Sequence, residues 1–275
     1  MTAPAVTDLP RLELSGPRLA EAFDGLVAAA EPRGGIERLV SALSAKCTLF
    51  ASVFAWERPG GLTEASLLDA CAFVAPARRR VGGFLETSGI EAMRDAIAAL
   101  IDGADDANAD SGLTAFAAHF PDDRKHRWVR DLGAEILHFT APERFPLMTR
   151  WIWDARSGTG VLREIWHGDG VEAIDDSQAS HVALRAELAG YLKGRGIWHA
   201  MPLTIDLLCA QVYADYIQAQ GSAFLRADFS GDDDPAYYIC RMLGIDAPAV
   251  DGERSRLKLA DGQRHRLSAT VPAQG

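Results

Sequence analysis

Between Gly35 and Trp56, the residues Ile36, Leu39, Val40, Leu43, Cys47, Phe50 and Phe54 recur at steps of three and four, which lines them along one face of an α-helix. Pro59-Gly60-Gly61 ends the run, because proline cannot continue the hydrogen-bond ladder and paired glycines favour a turn. The same spacing returns along most of the chain. Leu19, Phe23, Leu26, Val27 and Ala30 predict a helix over 17–31, and Thr63 caps one through Val74. Ser88 with Glu91 reads as a capping box opening a helix to about Ile101. Trp128, Val129, Leu132, Ile136 and Phe139 make one face of a helix that stops before Pro142, and Pro146 suits the first turn of another through Asp154. Further helices are expected over 177–193, over 202–220 and from Asp234-Pro235 to Gly244.

The C-terminal end breaks the helical pattern. Residues 256–267 alternate polar and apolar around Asp261-Gly262, as a β-hairpin does. Over residues 251–275 five cations (Arg254, Arg256, Lys258, Arg264, Arg266) stand against three acids, so this segment is basic on an acidic chain. The expected architecture is all-α: a single multi-helix domain of about eight helices with a small C-terminal β-hairpin or tail. A disordered arm is expected over 1–16, the helical domain over 17–245 and the basic hairpin or tail over 246–275. The acidic stretch from Asp102 to Gly112 reads as an exposed loop and an internal boundary.

With 275 residues and 48% hydrophobic content the chain is long enough to bury a large core. No run approaches the ~18 apolar residues of a membrane span, and the first ten residues lack the basic start and apolar stretch of a secretory signal. A soluble, cytoplasmic protein is expected, with no membrane. The four cysteines, Cys47, Cys71, Cys209 and Cys240, stand singly in apolar segments and read as buried thiols. The net charge of −10 argues against a protein whose main work is neutralising phosphates, so nucleic acid is disfavoured as a partner. Local basic runs at Arg78-Arg79-Arg80 and Arg124-Lys125-His126-Arg127 read as solvated faces or turns.

Chemistry concentrates between Trp128 and Gly168, which hold four of the six tryptophans and two Glu-x-x-His tetrads, Glu135/His138 and Glu164/His167. On a helix such a tetrad sets both side chains on one side, one turn apart, and two facing tetrads are the usual route to a di-iron or di-manganese site. That site needs two more carboxylates, for which Glu91, Asp206, Asp215 and Glu187 are candidates. The chain between the tetrads, interrupted by Pro142, Pro146, Gly158 and Gly160, is too short for an intervening bundle helix. Residues 160–168 also fit a strand, in which Glu164 and His167 would point to opposite faces. The plainer reading leaves Glu and His on helix surfaces, with His138 turned away from the apolar face.

The segment from Ala134 to Leu147, with Leu137-His138-Phe139, Pro142 and Phe145-Pro146, resembles a stretch in uncharacterised relatives of helix-hairpin-helix DNA glycosylases. The resemblance covers these residues alone and implies an all-helical architecture, with nucleic-acid binding as the weaker functional alternative. The chain lacks that family's Gly-x-Gly hairpin with a catalytic lysine, and Thr149 stands about where its acidic residue belongs.

Asp228 to Asp234 invites a calcium reading, but an EF-hand loop from Asp228 needs Gly and Glu where Asp233 and Ile239 stand. Helix capping by Asp234 accounts for the cluster. Phosphate-loop, dinucleotide, nucleophile-elbow and His-Glu-x-x-His signatures are missing from the sequence. What remains is a mixture of rings and guanidinium groups: Arg144, Phe145, Arg150, Trp151, Trp153, Arg163 and Trp166. Trp and Arg together are what protein interfaces favour. The leading expectation is an accessory or regulatory protein that binds a protein partner through this Trp/Arg-rich face. The alternative is a metal-dependent helical oxidoreductase holding iron or manganese on Glu135, His138, Glu164 and His167.

Overall fold

Pro17 sits in the first turn of helix α1 (Gly16–Ala30), where its missing N–H costs no helical bond. The computed structural model describes residues 9–54, 61–105, 108–220, 236–246 and 254–268. They form a mostly helical protein with one small antiparallel hairpin, as the periodicity predicts. Two compact units divide the chain, residues 1–41 with 148–243 and residues 42–147 with 244–275. Helix α2 (Ile36–Val53) begins in the first and ends in the second.

In the first unit, α9 (Met201–Ala219) is the element on which the others converge. Helices α1, α7 (Val161–Ile165), α8 (Gln178–Gly194) and α10 (Tyr237–Met242) all pack on it. Its residues are buried without a break from Pro202 to Val212, so it lacks the single apolar stripe of a surface helix there. Ser177 caps α8 by accepting from the Ser180 N–H.

In the second unit α3 (Glu64–Cys71) opens on the capping box its sequence predicts in part. Thr63 Oγ1 accepts the Ser66 N–H at 3.1 Å, and Ser66 Oγ accepts the Thr63 N–H at 3.0 Å. Helix α4 (Val81–Gly103) pairs with α5 (Ala109–Ala117), which packs on α6 (Trp128–Thr140). Strands β1 (Arg254–Lys258) and β2 (Arg264–Arg266) are antiparallel, with Lys258 opposite Arg264 and Gly262 at φ 81° in the turn.

Several expectations are corrected. The α4 helix starts seven residues before Ser88 and is interrupted at Gly89 (φ 77°, ψ 171°), while Glu91 pairs with Arg94 rather than closing a box. Residues 102–103 close α4 and residues 109–112 open α5, so these described parts of the expected loop are helix. A Cβ on Gly112 would stand 2.5 Å from the Leu100 carbonyl oxygen, so only glycine lets the two backbones approach this far. Residues 146–154 are extended and turned, where a helix was expected. The Asp154 carboxylate accepts from the Ser157 N–H and Asp154 pairs with Thr159, turn chemistry that overrides the proline start signal. Residues 13–15, placed in the arm by sequence, lie along 165–167, with Ser15 N–H on the Ile165 oxygen and His167 N–H on the Glu13 oxygen, both at 2.8 Å. The cap expected at Asp234 and the acidic cluster 228–234 lie outside the described residues.

Candidate functional site

The first tetrad is part of a buried charge pair in the second unit. Helix α6 is buried from Trp128 through Phe139 except at Arg130, so Glu135 and His138 both face protein, where a surface position was expected for His138. Glu135 (3% exposed) accepts from Lys46 Nζ of α2 at 2.7 Å, and that ammonium lies 3.7 Å from the Phe139 ring centroid and 5.4 Å from that of Phe50. Burial pushes the Lys46 ammonium below its ordinary value although Glu135 opposes it, and burial likewise pushes the Glu135 carboxyl up against the pull of Lys46. His138 Nδ1 donates to the Phe145 carbonyl oxygen at 2.8 Å, which fixes the ring by its backbone-facing nitrogen. Cys71 is raised well above its ordinary value by burial and by the Glu135 charge, so its thiol stays protonated and unreactive.

A second buried pair holds the C-terminal segment of the same unit. Arg78 donates to the Ala72 oxygen at 2.7 Å, the Gly244 oxygen at 3.1 Å and Asp246 Oδ1 at 2.5 Å. His265 Nε2 stands 2.7 Å from Asp69 Oδ1, fastening β2 to α3. Arg78 and His265 therefore serve the packing of the hairpin.

The second tetrad lies in the first unit and is not built on one helix. Helix α7 holds Glu164 but ends at Ile165, where Trp166 turns extended (φ −70°, ψ 144°), so the exposed His167 leaves the helical face. Among the described residues no group of three or more His, Cys, Asp or Glu side chains is placed to hold a metal. Glu135 and His138 belong to the second unit, and Glu164 and His167 to the first. Glu164 instead lines a cleft of about 630 Å³ between α1, α7 and α9, with Arg18, Glu21, Asp215 and Tyr216 on the walls. Arg18 Nη1 donates to the Glu164 carbonyl oxygen. Burial raises the Asp215 carboxyl, Gln211 Nε2 opposes this through a 2.7 Å bond, and the Glu21 charge adds to the rise.

The ring and guanidinium residues separate by exposure. Phe145 and Trp153 are core, at 0% and 2% exposed, and Trp153 Nε1 donates to the Ile174 oxygen at 3.0 Å. Arg144 is exposed over the Phe145 ring in the second unit. Arg150, Trp151, Arg163 and Trp166 belong to the first unit. Trp151 is half-buried against Tyr213, Trp166 is half-buried with its Nε1 donating to the Asp169 oxygen at 3.1 Å, and Arg163 is exposed and paired with Glu172 at 2.8 Å. The ring that sequence reasoning passed over is Trp198, 65% exposed in the turn between α8 and α9. That turn contains Gly196 at φ 84° and Ala200 at φ 48°, the only described non-glycine residue with positive φ. A tryptophan in the short Gly194-Arg195-Gly196-Ile197-Trp198-His199 link was the available signal.

Comparison with protein-family models, with curated proteins and with solved structures finds no match to this chain. No described helix is long and apolar enough to cross a membrane.

Proposed function

We propose that this is an accessory or regulatory protein that acts by binding a protein partner through the first unit, with Trp198 as anchor and Arg150, Trp151, Arg163 and Trp166 as further contacts. The observation that carries the reading is Trp198: a large ring left 65% exposed, on a backbone held at φ 48° two residues later at Ala200. A non-glycine residue in that conformation costs of order 1 kcal/mol, and such strain gathers at sites whose geometry matters. Trp, Tyr and Arg are the residues most enriched among binding hot spots: a Trp ring covers much area with two χ angles to freeze, and a guanidinium offers a planar fork of donors. Phe145 and Trp153 lie in the interior and form no part of the proposed face.

The test is affinity capture with wild-type protein, Trp198→Ala and Arg163→Ala/Trp166→Ala, each checked first for an unchanged unfolding curve. Loss of a hot spot of at least 2 kcal/mol weakens a complex by roughly 30-fold. A partner held by wild type and lost by the Trp198 variant is the expected result. Equal recovery of every partner by all three proteins would remove the basis for the reading.

A further inference from the structure

In the second unit three exposed cations, Arg80, Lys258 and Arg264, stand on adjoining backbone and have no side-chain partner among the described residues. Lys258 and Arg264 are directly opposite across the hairpin. Like charges in that position repel, so the pair weakens the hairpin that carries it. Arg80 precedes α4, and the hairpin is held against this point: the Lys258 N–H donates to the Arg78 oxygen at 2.9 Å. A Cβ on Gly82 would stand 2.8 Å from the Lys258 oxygen and 3.0 Å from Leu259 Cα, so the first turn of α4 and the hairpin tip touch through backbone. The hairpin's inner side is committed to the fold, with Ser255 and Leu257 at 0% exposure and His265 on Asp69. Exposed Arg79 and Arg266 add positive charge to the same neighbourhood. The acid in the hairpin turn, Asp261, is engaged by the Gln263 N–H at 2.8 Å.

We infer that Arg80, Lys258 and Arg264 form a docking surface for an acidic peptide segment of a partner protein. Charge complementarity is the argument, and three features choose this polyanion over others. The strands are five and three residues long. At about 3.4 Å per residue they offer a strip that a few carboxylate side chains span. The chain as a whole carries −10, and fields fade over about 8 Å at physiological salt, so a short ligand meets the patch while a long phosphate backbone also meets the acidic remainder. From Arg254 to Ser268 the sequence has no Phe, Tyr or Trp on which bases stack, and the tip, Asp261-Gly262-Gln263, has no apolar side chain to enter a lipid interface.

The experiment is fluorescence anisotropy of a labelled hexaglutamate peptide with the full chain at low salt, comparing wild type with Arg80→Glu/Lys258→Glu/Arg264→Glu and with Lys193→Glu, an exposed cation of the other unit. Expected are binding that weakens as salt rises, a loss of at least tenfold in the triple variant, and wild-type behaviour in Lys193→Glu. If charge reversal moves the unfolding midpoint, Arg80→Gln/Lys258→Gln/Arg264→Gln is measured in its place. The inference is overturned if the peptide does not bind wild type or binds the triple variant equally. It is also overturned if a twelve-nucleotide single strand or phosphatidylserine vesicles bind the patch more tightly than the peptide.

Discussion

Lys46 and Glu135 close a 2.7 Å ion pair with neither side chain reaching solvent, the ammonium lying over the Phe139 ring. Helices α2 and α6 are thereby joined by opposite charges in a place that would otherwise be filled by methyl groups and rings. Each charge has been taken out of water at a cost of several kcal/mol, and the partner's field is what offsets it.

Removing one member leaves the other charged and enclosed. Lys46→Met or Glu135→Leu alone is expected to destabilise by about 3–5 kcal/mol, while the double variant recovers most of the loss. Denaturant unfolding of all four proteins measures the coupling. A double variant no more stable than the worse single one would show that the pair does not act as a unit.

Gly244 admits no side chain. Its φ is 74°, and a Cβ there would fall 1.8 Å from the Phe73 oxygen. Gly244→Ala must therefore shift backbone as well as adopt a strained conformation, and a loss of about 2–4 kcal/mol is expected. The α3–α4 link and the hairpin should show it first, as faster amide exchange at Phe73 and Leu257 than at α9.

Asp69 gives the hairpin attachment a pH dependence of definite sign. Burial pushes its carboxyl up, but the bonds from His265 at 2.7 Å and Ser268 N–H at 3.2 Å outweigh it and hold the group below its ordinary 3.8. The unfolded chain therefore takes up this proton first as pH falls. The stabilisation is complete well above 3.8 and is lost as pH drops from there through the lower folded value. Asp69→Asn should be less stable than wild type near neutrality, and its stability should fall less steeply below that range. Parallel acid-limb slopes in the two proteins would contradict the assignment.

The helices were legible because apolar spacing survives in one dimension; α1, α6, α8 and α9 lie within a residue or two of where their patterns put them. Lys46 is legible too. It stands between Leu43 and Cys47 on the apolar stripe of α2, a position where a cation must find a buried acid. Its partner could not be named, since Glu135 comes from a different helix far along the chain. The segment after Pro146 misled for a local reason, because the Asp154-to-Gly158 turn and Gly160 govern its path. Glu164 and His167 share a motif in sequence but not in space, as the helix between them ends at Ile165.

The interleaving of the two units sets a timetable for synthesis. The buried stripe of α1, with Leu19, Ala22 and Leu26, packs on α9, which emerges only after nearly all of the second unit's helices have been made. At about 5–20 residues per second, a nascent chain carries that stripe uncovered for roughly ten to forty seconds. The second unit waits in turn for its hairpin, which follows everything else. A change in translation rate is then expected to alter how long that apolar stripe stays exposed before its partner helix is made.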